Sequence, residues 1–239
     1  MKTVAAFVDL QDDGAYDVRC VYGHRIRAVV QNSRFELLMD SAVLALKDEY
    51  YREAVLSFAA ALEAFWGFYI RVVARHSDAP LEEIPHLSKD LRMSERRAGA
   101  MYLAHLLLVH RRYERYPEAR SNFRNKVVHE GVFPSREEAM DYGTCVYDAV
   151  VDGIGQLKSN AREAADREIA IALAPAHSKL RDPSSKWSAA THWVKTFLPF
   201  EDEASPRSFD EAFRQWSELN VWDITSTLAR EKRTVEDQD

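Results

Sequence analysis

The sequence predicts a mainly α protein: a helical bundle with a small N-terminal antiparallel β meander and an aromatic-rich α-helical C-terminal extension. Three observations predict this fold class. Glycine and proline number only eight each among 239 residues, so few positions interrupt a helix. Apolar residues recur at intervals of three and four through the middle of the chain, which is the period of an amphipathic helix. Residues 1–32 lack that period and contain turn-forming pairs instead.

The N-terminal segment, residues 1–32, is predicted to be extended. Short apolar stretches at 3–8, 16–22 and 26–30 are separated by Asp12-Asp13-Gly14 and by Gly23-His24. Glycine directly after aspartate favours a tight turn. This pattern is typical of a small antiparallel meander.

Residues 33–173 are predicted to form the helical bundle. Ser33 is placed to cap the first helix, and a break near residues 48–51 precedes a longer helix over about 52–76. The wide apolar stripe of that longer helix contains one carboxylate, Glu63. Because a buried carboxylate requires a partner, Glu63 either has one or lies at the edge of the stripe.

Helix start and stop signals predict further helices in the bundle. In chain order these signals are prolines 80 and 85 for a loop, Ser94 for a helix start, Pro117 for the next start, Gly131 with Pro134 for the end of that helix, and Ser135 with Glu138 for a capping box. The capping box begins a long helix that is predicted to extend as far as Ala172, although the stretch from 160 to 167 is nearly all polar. Pro175 begins a different region.

The C-terminal extension, residues 174–239, is rich in aromatic residues. It contains four of the five tryptophans, which are Trp187, Trp193, Trp216 and Trp222. Prolines at 183, 199 and 206 predict short helices. We expect these aromatic residues to form a cap on the bundle, and the alternative is a surface that binds a partner. The charged tail from residue 230 to 239 predicts disorder.

Composition limits the class of protein. An apolar content of 46% and a charged content of 29% are ordinary for a soluble globular protein. No uninterrupted apolar run approaches the roughly 20 residues that span a bilayer, and Asp9 and Asp12 come too early for a secretory signal. Cys20 and Cys145 provide no disulfide or zinc framework, so the simplest expectation is a cytoplasmic protein.

A basic zone lies between residues 95 and 129 of an otherwise acidic chain. The zone has a local net charge of +5, whereas the whole chain has a net charge of -6. Its basic residues are Arg96, Arg97, Arg111, Arg112, Arg115, Arg120, Arg124 and Lys126. A confined basic zone suits a limited anionic ligand better than a long duplex, although a charge run is more often only a solvated helix face.

The basic zone ends on the segment Phe-Arg-Asn-Lys-Val-Val-His-Glu-Gly, residues 123–131. Arg124 offers a permanent fork-shaped cation that binds phosphate, and His129 offers a proton that moves near neutral pH. The gap between them is not specific, because arginine and histidine recur with the same gap at 19 and 24 and at 71 and 76. Only Arg124 is followed by a polar amide, Asn125, and only His129 has a glycine two residues later.

Helix geometry separates these side chains. Asn125 and His129 are one turn apart and share a face, whereas Arg124 and His129 lie about 140° apart around the axis. Arg124 must therefore reach round the helix, or a second copy of the chain must supply part of the site. A two-fold axis at this helix would bring both pairs into one cleft, which predicts a homodimer.

Arg124-Asn125-x-x-x-His129 resembles the motif of the HEPN superfamily, an arginine, a polar residue and, a few positions later, a histidine. The long helix beginning at Arg52 is also similar to the early helix of that superfamily. The resemblance covers about residues 33–160 and implies a HEPN-like helical bundle that pairs symmetrically. Many members are metal-independent ribonucleases of prokaryotic toxin–antitoxin or antiviral systems, and others are non-catalytic modules for dimerisation or protein binding.

The resemblance implies that Arg124 and His129 are catalytic and that Asn125 supports the histidine. It implies cleavage by the RNA 2′-hydroxyl, giving a 2′,3′-cyclic phosphate without a cofactor. The candidate RNA-binding side chains are Arg111, Arg112, Arg115, Arg120 and Lys126. An antitoxin or regulatory protein is a further expected partner.

Other chemistries have weaker support. No Gly-x-Ser-x-Gly is present, and the residues after His129 lack the second histidine of a zinc-protease helix, so we expect no metal site. The structural alternative is that Arg124 pairs with a carboxylate such as Glu130 of a partner. In that alternative His129 is a favourable cation at a helix C-terminus.

Overall fold

The structure is a computed structural model that describes residues 11, 14–19, 25–114, 116–180, 188–192 and 208–218. Within those ranges the helices are α1 (Arg34–Lys47), α2 (Tyr51–His76), α3 (Ile84–Asp90), α4 (Ser94–Val109), α5 (Glu118–His129), α6 (Arg136–Asn160), α7 (Arg162–Leu180) and α8 (Phe209–Glu218). The strands are β1 (Ala15–Arg19), β2 (Arg25–Val30) and β3 (Ser188–His192). The predicted mainly α fold is confirmed.

The chain divides into two compact units. The first unit comprises residues 1–31, 173–194 and 214–239, and the second comprises residues 32–172 and 195–213. The second unit contains the helical bundle and the described candidate site residues.

The first unit contains a small sheet in the order β1-β2-β3. β1 and β2 pair antiparallel, with Tyr16 opposite Ala28, and Asp17 of β1 accepts a 2.6 Å hydrogen bond from Arg27 of β2. β3 pairs parallel to β2. The purely helical prediction for the C-terminal extension is therefore wrong at β3, because strand pairing depends on a partner far away in the chain. Residues 3–8 of the expected meander, Trp187, Trp193 and Trp222 lie outside the described residues.

Helix α2 is the centre of the second unit and packs against α1, α4, α5 and α6. Its core side chains include Phe58, Phe65, Tyr69 and Val72, all with no exposed surface. By length and composition α2 could cross a membrane, which revises the expectation from the sequence. However, 61% of its apolar window is buried inside the protein, as in the core helix of a soluble protein.

The predicted helix caps are present. The Ser33 amide donates to Glu36 Oε2 at 2.6 Å before α1. The Ser135 amide donates to Glu138 Oε2 at 2.8 Å, and the Glu138 amide donates to Ser135 Oγ at 3.2 Å, before α6. These reciprocal bonds satisfy amides that a helix start leaves without a partner. Glu49 has a left-handed φ of 65° in the predicted break between α1 and α2.

Three helices differ from the prediction. α3 occupies the segment that the prolines marked as a loop, and Pro85 lies in its first turn, where a helix has no use for the missing amide proton. α7 continues through Pro175, which was expected to begin a new region. The long helix predicted after Ser135 ends instead at Asn160, because Ala161 departs from helical geometry with φ of -144°.

Close approach between α2 and α6 depends on glycine. A Cβ added at Gly153 would lie 2.6 Å from the Phe65 ring, and one at Gly143 would lie 2.9 Å from the Phe58 ring. Phe209 of α8 packs into the same core, with its ring centroid 5.8 Å from that of Phe58 and 1% of its surface exposed. The bundle is therefore packed around α2 with little spare space on its α6 side.

Candidate functional site

Helix α5 presents the candidate residues on two sides. It begins after Pro117 and ends at His129, where Gly131 adopts a left-handed φ of 72°. Val127 is fully buried, and Arg124, three residues earlier, lies on the same side of the helix. Since His129 lies two residues after Val127, about 200° around the axis, it lies on the solvent side.

The guanidinium of Arg124 is held by three side chains. Its Nη2 donates to Glu63 Oε1 at 2.6 Å and to Ser94 Oγ at 3.3 Å. Its Nη1 donates to Asn125 Oδ1 at 3.0 Å. The Arg124 side chain retains 20% of its exposure, so solvent and a ligand still reach it. α2, α4 and α5 meet at this arginine.

Glu63 is shared by two arginines. In addition to Arg124, it lies 3.6 Å from Arg97 Nη1 through Oε2, and the Ser94 hydroxyl donates to its Oε1. Arg97 is fixed by a 3.1 Å hydrogen bond from Nε to the Leu91 carbonyl. One carboxylate therefore balances one of two positive charges, and the cluster keeps a net charge of about +1.

Sequence reasoning left the role of Glu63 open, treated Ser94 only as a helix start and counted Arg97 only as part of the basic zone. The available signal was a single carboxylate within the apolar stripe of a long helix. Such a residue requires a partner, and the partners are supplied by α4 and α5. The structural alternative paired Arg124 with a carboxylate of a second chain. In the structure, Glu63 of the same chain already pairs with Arg124.

The imidazole of His129 is exposed. Within the residues that the structure describes, its imidazole makes no hydrogen bond or ion pair. The side-chain carbonyl oxygen of Asn125 accepts a hydrogen bond from Arg124. In this structure Asn125 therefore contacts the arginine and not the histidine. Asn125 thus positions the guanidinium, whereas the sequence motif led us to expect support for His129.

The candidate RNA-binding residues divide into two groups. Arg120, half-buried, lies one turn before Arg124 on the same side of α5, and Lys126 is exposed on α5. Arg111 and Arg112 are exposed beyond the C-terminal end of α4. Because α4 has 16 residues and is about 24 Å long, they lie far from its N-terminal end, where Arg124 is bound. Arg115 lies outside the described residues.

Buried tyrosines anchor α5 to the bundle. The hydroxyls of Tyr116 and Tyr142 are 2.9 Å apart, and the Phe123 and Tyr142 rings lie 5.7 Å apart between centroids. Burial raises the pKa of Tyr116 and raises that of Tyr142 well above its usual range. Both phenols therefore stay neutral and act as structural hydrogen-bonding groups beside the site.

His105 fixes the start of the loop that carries the two exposed arginines. Its side chain is buried, and Nδ1 donates to the Arg111 carbonyl at 2.8 Å. Burial lowers the pKa of His105, the hydrogen bond to Arg111 opposes that shift, and the positive charge of Arg111 adds to it. His105 is therefore a neutral structural residue near physiological pH.

Possible ligands of a metal are dispersed in the described ranges, where no three His, Cys, Asp or Glu side chains are grouped to hold an ion. The cationic cluster around Glu63 and the exposed imidazole of His129 are suited to phosphate binding and proton transfer. Comparison of the chain with protein-family models, with curated proteins and with solved structures gave no match.

Proposed function

We propose that this chain is a metal-independent endoribonuclease with Arg124, Asn125 and His129 as its catalytic residues. One observation carries the proposal: α5 presents a guanidinium held in place by Glu63 and Asn125, together with an exposed imidazole that no described residue engages. The resemblance of this motif to that of the HEPN superfamily supports the same chemistry.

The reaction uses the nucleophile that RNA itself carries. The 2′-oxygen forms a bond to the adjacent phosphorus, the bond from phosphorus to the 5′-oxygen breaks, and a 2′,3′-cyclic phosphate and a 5′-hydroxyl result. His129 accepts the proton of the 2′-hydroxyl or donates one to the leaving 5′-oxygen, an effect worth about 10²–10⁴-fold. Arg124 binds the additional negative charge on the phosphoryl oxygens. DNA resists because it lacks the nucleophile.

Glu63 and Ser94 act through Arg124 in this scheme. They orient its guanidinium, and the excess positive charge of the Arg97–Glu63–Arg124 cluster leaves capacity to bind a phosphate anion. Arg120 and Lys126 on the same helix would contact neighbouring phosphates. Arg111 and Arg112 would serve a more distant part of the RNA.

A homodimer completes the site. Arg124 and His129 diverge by about 140° around α5, so a two-fold axis at α5 would place the imidazole of one copy near the guanidinium of the other. One histidine then serves as base and the second as acid. We expect a dimer at micromolar concentration in sedimentation, and a protein that stays monomeric there would contradict the shared cleft.

The biological setting follows from the same resemblance. We propose a cytoplasmic enzyme of a prokaryotic toxin–antitoxin or antiviral defence system, with an antitoxin or regulatory protein as partner. Expression in bacteria tests the setting. Induction of the wild type should arrest growth, whereas induction of the His129→Ala variant should not.

Labelled single-stranded RNA incubated with the protein in EDTA tests the chemistry. Arg124→Ala and His129→Ala should each lower the cleavage rate by about 100-fold or more. The matched controls are Arg96→Ala and His86→Ala, which remove an exposed arginine and an exposed histidine elsewhere. RNA left intact by the wild type, or cut by both site variants as fast as by the wild type, would refute the enzyme.

A second function, as a non-catalytic dimerisation or protein-binding module, is favoured by an exposed apolar face on α4. Four large side chains on that helix are exposed: Tyr102 at 42%, Leu103 at 58%, Leu106 at 49% and Leu107 at 58%. Exposed apolar side chains that cluster on one face mark interaction surfaces. If Leu103→Asp abolishes self-association while RNA stays intact with the wild type, this second function replaces the first.

A further inference from the structure

The helical unit contains a cavity of about 530 Å³ whose lining includes Glu63 and Arg97 of the candidate site. Its charged lining residues are Arg34, Glu63, Arg71 and Arg97. The volume lies within the range of about 300–1,000 Å³ that is usual for small-molecule sites. The cavity is therefore large enough for a ligand of nucleotide size.

Positive charge exceeds negative charge around this cavity. Each of two carboxylates is shared by two guanidiniums: Glu63 by Arg97 at 3.6 Å and Arg124 at 2.6 Å, and Glu168 by Arg71 at 2.5 Å and Arg75 at 2.8 Å. The lining itself contributes three guanidiniums, of Arg34, Arg71 and Arg97, and one carboxylate, of Glu63. A concave wall with excess positive charge concentrates the field on an anionic ligand.

Arg97 retains a donor for such a ligand. Its Nε donates to the Leu91 carbonyl at 3.1 Å and its Nη1 donates to the Glu63 carbonyl at 3.3 Å. Its Nη2 makes no hydrogen bond to the residues that the structure describes, and 21% of its side chain is exposed. A guanidinium in this state matches the geometry of a phosphate oxygen better than that of a neutral group.

The remainder of the cavity wall is apolar. The wall includes the apolar side chains of Leu38, Ile70, Leu87 and Leu91. Ala64 and Gly67 of α2 also line it, and their small size leaves space for a ligand. An inorganic anion would leave these apolar surfaces in contact with water. A ligand with a planar or apolar body would bury them. Charge at one side and hydrocarbon at the other therefore select an amphipathic organic anion.

We propose that this cavity binds a phosphate monoester on a planar body, of the size of a nucleoside monophosphate. The phosphate binds Arg97, and the base packs against Leu38 and Ile70. Two sources share this chemistry, a free nucleotide and the 5′-phosphorylated end of a nucleic acid. The ligand would share Arg97 with the proposed RNA site, but its binding requires neither Arg124 nor His129 to act on it and can be measured without RNA cleavage.

Titration calorimetry on the full chain tests the site with AMP, adenosine, inorganic phosphate and a 5′-phosphorylated DNA pentamer. AMP should bind with one-to-one stoichiometry, and adenosine and phosphate should each bind at least about tenfold more weakly. A pentamer that binds as tightly as AMP identifies a nucleic-acid end as the source, and a pentamer that is excluded identifies a free nucleotide. No heat with AMP at millimolar concentration would overturn the proposal.

Variants locate the binding. Arg97→Gln should weaken AMP binding by about tenfold or more, whereas Arg96→Gln, which removes the same charge from an exposed neighbour, should not. Ala64→Leu fills the cavity without changing any charge and should weaken binding equally, whereas Ala100→Leu on α4 should leave binding unchanged. Circular dichroism confirms folding of each variant. AMP binding that survives both Arg97→Gln and Ala64→Leu would exclude this cavity.

Discussion

Two glycines on α6 allow the packing of the bundle to be measured. Gly153→Ala and Gly155→Ala place the same methyl group two residues apart on one helix. At Gly153 the new Cβ would lie 2.6 Å from the Phe65 ring, about 1 Å closer than the usual carbon–carbon contact of about 3.5–4.0 Å. At Gly155 no described atom outside the neighbouring backbone of α6 lies within 4 Å of the new Cβ.

The expected magnitude follows from this geometry. Both substitutions gain up to about 1 kcal/mol from the better helix propensity of alanine, so that gain cancels in the comparison. Phe65 cannot move away easily, because it is fully buried and its ring meets those of Phe35 at 5.3 Å and Tyr69 at 6.1 Å. Overpacking of this kind costs about 1–3 kcal/mol. Gly155→Ala should therefore be the more stable variant by about 1–3 kcal/mol.

Urea unfolding followed by circular dichroism measures this difference directly. Gly155→Ala should unfold at a higher urea concentration than the wild type, and Gly153→Ala at a lower one. Equal midpoints for the two variants, or a Gly153→Ala variant more stable than Gly155→Ala, would show that α2 and α6 do not approach as closely as described.

Three further predictions concern ionisable side chains that are buried or partly buried. Glu168→Ala should lower the free energy of unfolding by about 3–5 kcal/mol, because Arg75, with 8% of its side chain exposed, loses its carboxylate; an unchanged urea midpoint would contradict this. The lowered pKa of His105 means that the unfolded chain binds a proton below its ordinary value of 6.5 that the folded chain does not. Stability should therefore fall as pH drops from about 7.5 to 5.5, and the fall should be smaller in His105→Asn; identical pH profiles in urea unfolding would exclude His105 as its source. Glu63→Ala leaves two partly buried guanidiniums without their carboxylate, and should cost about 1.5–3 kcal/mol in thermal or urea unfolding and also lower RNA cleavage. Full cleavage by a folded Glu63→Ala variant would remove Glu63 from the positioning of Arg124.

Local sequence was sufficient wherever the interacting groups are neighbours in the chain. The capping box of Ser135 with Glu138 joins residues three apart, so its bonds could be predicted from two letters. The helical period of the apolar residues predicted α2 and α6, and Gly131 predicted the end of α5. Both signals depend on preferences within a few residues. The same reasoning failed at β3, whose partner β2 lies far earlier in the chain.

The candidate site divides in the same way. The motif of Arg124, Asn125 and His129, and the angle between its members on α5, could be obtained from residue spacing and helix geometry alone. The contact of Arg124 with Glu63 spans 61 residues, and no local preference specifies which side of α5 faces α2. That orientation follows from the burial of Val127 and from the desolvation cost of a carboxylate without a partner, and both depend on the packing of helices that are distant in the chain.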